Sequence, residues 1–295
     1  MTEVFEVICD DTTTISRGEW LMLRRQGLGS SDAAAAMSMS PWTSAYSLWA
    51  EKRGLTPEVE DNERFRWGRL LEPLILDECA ERKWMRPQAE RNLMVRNIER
   101  PWMLANPDAL DHELVIEAKT ADGWTRDKWE AGVPDHYVLQ AMWLMEVTGR
   151  PTCTFPVLFG GNDLQRYLVD YDPAVAEPMV AAGEVMWERI VTDRPPDADG
   201  SEASMLALRQ VFTEVVTGGA VELPGELEPL IEDRRLWAQR AKDAEAEVDR
   251  VKALVMQAMG ENELALMAGF PAATWTTNKN GSRIFRWAAP EKEKR

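Results

Sequence analysis

Pro107-Asp108, followed by Leu114-Val115-Ile116-Glu117-Ala118-Lys119, constrains this chain more than any other stretch. Leu114 to Lys119 has the apolar run of a buried strand, and alternation of side chains puts Glu117 and Lys119 on one face of it. Met103 to Asp108 reads as a neighbouring strand ending at a Pro-Asp turn, with Ala109 to Glu113 as the reversal between the two. Two such strands bring two carboxylates and one ammonium to a single point. Hard oxygen ligands suit Mg2+ or Mn2+, which bind through one or two carboxylates and keep several waters. An amine beside them can orient a water or offset charge developing on a phosphoryl group.

The flanking sequence adds three further blocks. Upstream is Gly68-Arg69-Leu70-Leu71-Glu72-Pro73; downstream, Pro134-Asp135-His136-Tyr137-Val138-Leu139-Gln140 runs into an apolar segment ending Val147-Thr148-Gly149. Near the start lie Leu28-Gly29-Ser30-Ser31-Asp32-Ala33-Ala34, Ser40-Pro41-Trp42 and Leu48-Trp49. In this order and spacing, over roughly residues 17–195, the chain resembles the YqaJ-like phage recombinases, relatives of lambda exonuclease within the PD-(D/E)xK nucleases.

The resemblance implies an α/β fold: a restriction-endonuclease-like core with a mixed central sheet flanked by helices. It implies metal ligation by Asp108, Glu117 and the Ala118 carbonyl, with Lys119 positioning the attacking water. Glu72 would deliver a third carboxylate, and Gln140 would orient water or phosphate. It also implies that Arg24, with Arg25 as the alternative, acts with Ser30 and Ser31 to hold the 5′-phosphate of a DNA end. A guanidinium fork and hydroxyls at a helix start make an ordinary anion site. The activity implied is Mg2+-dependent 5′-to-3′ digestion of double-stranded DNA ends, with Mn2+ as a substitute. The 3′ strand would pass to a single-strand annealing protein in phage-type recombination. Relatives form rings, which implies a ring-shaped homo-oligomer here, with a trimer as the candidate. Against this stand an internally cutting or branch-cutting nuclease of the same fold, a catalytically silent recombination adaptor, and a metal-free hydrolase using paired carboxylates.

The net charge of −16 argues against a simple non-specific DNA binder, which usually shows a basic footprint. Residues 64–100 hold nine Lys/Arg against six Asp/Glu, so a locally positive lining fits inside an acidic body. DNA affinity should be weak or strongly salt-sensitive, and a ring, a partner or an end-binding pocket would supply the grip. Cys9, Cys79 and Cys153 are few and widely spaced, as expected of reduced thiols in the cytoplasm, the bacterial host's if the chain is phage-encoded. With two histidines a zinc site is not expected. The start, Met1-Thr2-Glu3-Val4-Phe5-Glu6, is acidic rather than signal-like, and no apolar run reaches the ~20 residues of a membrane span.

Residues 1–16 read as a partly extended lead-in. A helix over Arg17–Arg25 is predicted, with Ser16 as N-cap and Glu19 completing a capping box. Ser30 or Ser31 should cap a helix over Ala33–Met37. Further helices are predicted over Thr43–Arg53, 61–84 (kinked at Pro73), 135–148 and 174–193, with a helical stretch around Trp124 and Trp129. Strands are expected around 92–97, 102–106, 113–119, 152–159 and 164–170. The exonuclease core is placed at 1–195, and Arg194-Pro195-Pro196-Asp197 opens a linker over 196–225. An appendage at 226–295 comprises a helical arm and a β-hairpin. In the arm, Trp237, Ala241, Ala244, Val248, Val251, Val255 and Ala258 alternate spacings of four and three, a heptad seam for self-association or for packing on its own body. Asn280-Gly281 supplies the hairpin turn. Most of the thirteen tryptophans should be core; Trp42, Trp49 and Trp67 are candidates for stacking on unpaired bases.

Overall fold

A computed structural model describes residues 4–58 and 61–288; the first three residues of the acidic start lie outside them. Contacts divide the chain into Met1–Val215 and Val216–Arg295.

In the first unit the lead-in contains a strand, β1 (Phe5–Cys9). Helix α1 (Arg17–Arg24) carries the capping box: the Ser16 hydroxyl accepts from the Glu19 N–H while the Glu19 carboxylate accepts from the Ser16 N–H. Beyond the helix end the backbone passes so close to Trp102 at Gly27 that a side chain there would sit 2.4 Å from the Trp102 carbonyl oxygen. A 3-10 turn, Ser30–Asp32, leads into α2 (Ala33–Ala36), which has no side-chain cap. The expected serine cap is therefore corrected: the Asp32 carboxylate, not a hydroxyl, takes the Gly29 N–H.

Next come α3 (Ala45–Lys52) and α4 (Glu63–Glu81), and the latter continues through Pro73. Short strands follow: β2 (Glu90–Arg91), β3 (Met94–Asn97), β4 (Leu104–Ala105), β5 (Ala109–Leu110), β6 (Leu114–Ile116) and β7 (Lys119–Ala121). A 3-10 stretch, Gly123–Trp129, precedes α5 (Asp135–Thr148), then β8 (Thr152–Phe159), β9 (Asp163–Asp170) and α6 (Pro173–Val191). Helix α7 (Glu202–Val211) occupies part of the stretch expected as linker, because Ser204 and Ala207 are buried and the Ser204 hydroxyl donates to that of Ser44.

Among the described residues the main sheet has six strands, ordered β2-β5-β6-β8-β7, with β9 on the far edge of β8. It is mixed: β6 and β7 run parallel to β8, and β9 antiparallel. Strands β1, β3 and β4 form a separate antiparallel sheet. The faces sort by alternation. Val115, Cys153, Phe155 and Val157 join Leu139, Trp143 and the rest of the larger core on the α5 side. Ile116 joins Ile75, Leu76 and Cys79 of α4 on the other.

Two strand expectations are corrected. Leu114 to Lys119 is interrupted at Glu117-Ala118, although β6 and β7 keep the same register along β8. The neighbour of β6 is β5, from the stretch expected as a reversal, while the strand before the Pro-Asp turn pairs with β3.

In the second unit, α8 (Leu227–Met259) leads to an antiparallel sheet of β10 (Leu264–Met267), β11 (Phe270–Thr277) and β12 (Arg283–Trp287). The Asn280-Gly281 turn lies within a five-residue loop between β11 and β12, with Gly281 at φ +80°. Arg283 ties the sheet to the helix end, donating to the carbonyls of Gly260 and Asn262. Trp237, Val248 and Val251 of the heptad seam are exposed.

Candidate active site

The break at Glu117-Ala118 is where the chemistry gathers. The Ala118 N–H leaves the sheet ladder and donates to the Asp108 carboxylate at 2.7 Å, which fixes the Pro-Asp turn against the end of β6. Glu117 lies on the Val115 face, toward α5. Its Oε1 accepts from Lys119 Nζ and from Gln140 Nε2 of α5, each at 2.7 Å. With both donors on one oxygen, Glu117 Oε2 is left buried and without a hydrogen-bond partner. A buried carboxylate oxygen in that state is costly unless something cationic completes it.

The neighbouring charges point the same way. Burial, then the Glu117 and Glu72 carboxylates, hold Asp108 well above its ordinary value. Burial and Glu117 raise Glu72 as well. Burial opposes the Lys119 ammonium, but Glu117 and Asp108 outweigh it and push its pKa up. The ammonium also lies 5.1 Å from the centroid of the Tyr137 ring. Among the described residues no group of three acidic, histidine or cysteine side chains is gathered in a form that could already hold an ion. The donor set nevertheless fits a hard divalent cation, which needs only one or two carboxylates and brings its own waters.

A cavity of about 620 Å³ opens over this point. Glu72 and Pro73 of α4, Asp108, Glu117 and Gln140 line it, as do Arg24, Ser30 and Ser31. Seven of the nine residues singled out in the sequence thus share one cavity, and the other two, Ala118 and Lys119, bond directly to its carboxylates. Helix α2 is a single turn, so it brings little helix dipole to the part of the cavity lined by Arg24, Ser30 and Ser31. Of the nine basic residues in 64–100, Arg69 lines the cavity while paired with Asp61, and Arg64, Arg82, Arg86, Arg91, Arg96 and Arg100 pair with acids elsewhere. Arg17 joins Arg24 and Arg69 in the wall. Among the tryptophan candidates, Trp49 is buried in the core, whereas Trp42 and Trp67 are 66% and 52% exposed.

Sequence reasoning missed Asp32 and Lys52. Asp32 is buried and accepts from Arg24 and Lys52, at 3.1 Å and 2.6 Å. Lys52 falls four residues after the buried Leu48 on α3, so a charged residue on an apolar helical stripe was the available signal. Trp20, whose indole donates to Asn106 at 3.3 Å, was also missed; it lies under the guanidinium of Arg24, 5.0 Å from its carbon.

The fold is the mixed central sheet flanked by helices that the resemblance implies. Residues 19–151 match the YqaJ-like viral recombinase domain. The chain is similar to the uncharacterized protein YqaJ of Bacillus subtilis (strain 168), 24% identical over 279 residues, or 92% of this chain and 87% of that protein. Its fold matches an alkaline exonuclease from Laribacter hongkongensis with a TM-score of 0.53 and 20% identity, over 60% of this chain and 94% of the other. No helix among the described residues is long and apolar enough to cross a membrane.

The raised Asp108 and Glu72 give a signed expectation for the metal-free protein. Below the ordinary carboxylate value (3.8 for Asp108) folded and unfolded states are both protonated. As pH rises above it the unfolded chain loses protons that the fold retains, so stability falls with rising pH up to the raised folded-state values. Melting temperature in EDTA should therefore decline across that window, and Asp108→Asn should raise it and flatten the slope. Added Mg2+ should also flatten it; an Asp108→Asn variant with the wild-type slope would show Asp108 to be unstrained.

Proposed function

We propose that this chain is a divalent-metal-dependent exonuclease that removes nucleotides from the 5′-ended strand of duplex DNA. The exposed 3′ strand would feed an annealing protein in recombination. One observation carries this reading: a single cavity is lined by Arg24, Ser30 and Ser31, which would form the anion wall, and by the carboxylates of Glu72, Asp108 and Glu117. The reaction is hydrolysis of the phosphodiester one nucleotide in from the end. Water oxygen bonds to phosphorus, and the bond from phosphorus to the 3′-oxygen breaks with its electron pair on that oxygen. The shortened strand again ends in a 5′-phosphate, the group the anion wall would hold.

Asp108, Glu117 and the Ala118 carbonyl would hold Mg2+ or Mn2+, with Glu72 as a further carboxylate. Such an ion would supply an activated water and charge compensation at the leaving oxygen. Lys119 would orient the attacking water and offset charge on the phosphoryl oxygens, while Gln140, donating to Glu117, would keep that carboxylate aimed. Acidic net charge favours topological retention by a ring over a broad basic grip.

The test is digestion of linear duplex with 5′-phosphate or 5′-hydroxyl ends and of closed circles, with Mg2+ and with EDTA. Phosphorylated linear duplex should be consumed first and EDTA should stop it. Rapid cutting of closed circles would replace this reading with an internally cutting nuclease. Activity in EDTA would exclude the metal.

A further inference from the structure

Behind the anion-facing wall lies a pair of charges that the carboxylate cluster does not use. Lys52 closes α3 with its side chain 1% exposed and donates to Asp32 Oδ2 at 2.6 Å. It also donates to the Arg24 carbonyl at 3.2 Å. Asp32 in turn accepts from the Arg24 guanidinium at 3.1 Å and from the Gly29 N–H at 2.8 Å. One carboxylate therefore fixes both the arginine and the turn that carries Ser30 and Ser31.

Stability alone is a weak reason for such a group, since an apolar pair of similar size often serves a fold as well as a buried ion pair. Charge balance gives a stronger one. Arg24 and Asp32 by themselves sum to no net charge, which weakens the pull of the guanidinium on an anion. With Lys52 the trio carries a net positive charge at the cavity wall. Arg24 spends one N–H on Asp32 and is 25% exposed, which leaves donors for the cavity.

We propose that Lys52 and Asp32 are positioning residues for the terminal phosphate: Lys52 offsets Asp32, so that Arg24 is held in one geometry yet keeps its positive field for the 5′-phosphate. This rests on the end-binding reading above.

The experiment compares kcat and KM on otherwise identical duplexes with 5′-phosphate or 5′-hydroxyl ends. The proteins are wild type, Arg24→Ala, Lys52→Met and Lys52→Arg, each with a melting curve. Lys52→Met keeps the stem and loses the charge. It should lower the phosphate-over-hydroxyl preference by about tenfold, through KM on the phosphorylated duplex, as expected for removal of one nearby interior charge. Lys52→Arg should restore part of the preference. A merely structural role would lower both substrates together and leave the ratio alone. A wild type indifferent to the phosphate would sink the end-pocket reading itself. Preference lost in Arg24→Ala but kept in Lys52→Met would overturn only the present proposal. If Lys52→Met does not fold, Lys52→Gln takes its place with the same two readings. If neither folds, Lys52 serves the fold alone and the proposal falls.

Discussion

Lys119→Ala is expected to slow digestion of 5′-phosphorylated duplex by about 10²–10³-fold, the cost of removing one preorganised donor from a developing oxyanion. The loss should fall on kcat, because Lys119 lies beside Glu117 and outside the wall that would bind the end. Asp108→Ala should go further, to background, since it removes a proposed metal ligand and the acceptor of the Ala118 N–H together. The two variants should differ in stability. Lys119→Ala strips a buried carboxylate of its counter-ion, a change that costs about 3–5 kcal/mol when nothing replaces the partner. That cost should appear in EDTA and shrink in Mg2+. Asp108→Ala relieves repulsion among three acidic groups and should melt later than wild type in EDTA. Time courses on end-labelled duplex, paired with melts in both buffers, decide the matter. Wild-type rates in either variant would mean that the carboxylate cluster is idle.

The site was legible in the sequence because its residues sit in local patterns whose period is fixed by geometry. Alternation along a strand puts Glu117 and Lys119 on one face, and the structure has them 2.7 Å apart. The capping box at Ser16 and Glu19 is likewise local chemistry, and α5 follows from an apolar run closed by Gly149 at φ +67°. What could not be read was pairing at a distance. Ala109-Leu110 is too short to show a period, so its place beside β6 depends on tertiary context. The strand break at Glu117-Ala118 arises because Ala118 spends its N–H on a side chain ten residues upstream. Phe5–Cys9 has an irregular burial pattern and becomes a strand by pairing with β3, with a register shift between Val7 and Cys9. Asp32 was quoted within its block, but its role depends on Lys52, twenty positions away on another helix.

The same helix that aims Gln140 also carries the core residue whose loss should cost most. Trp143 is 0% exposed, and its indole donates to the Leu104 carbonyl at 2.9 Å, tying α5 to β4 just before the Pro-Asp turn. It stands at 5.8 Å from the Trp102 ring, and both rings leave so little room at α6 that a side chain on Gly183 would meet them at 2.9–3.0 Å. Trp143→Ala should therefore destabilise the first unit by about 3–5 kcal/mol, as an emptied aromatic site in a close-packed core does. Trp143→Phe separates packing from positioning. It retains most of the ring but takes the donor from the Leu104 carbonyl, a loss of about 1–3 kcal/mol if that oxygen stays buried without a replacement. Because Gln140 lies one helical turn before Trp143, a loosened α5 should also misplace the Glu117 carboxylate. Catalytic rate in Trp143→Phe should then fall at temperatures where the protein remains folded. Denaturant melts together with single-turnover cleavage separate the two effects. Unchanged turnover in a destabilised Trp143→Phe would show that α5 carries Gln140 without needing the tie to Leu104.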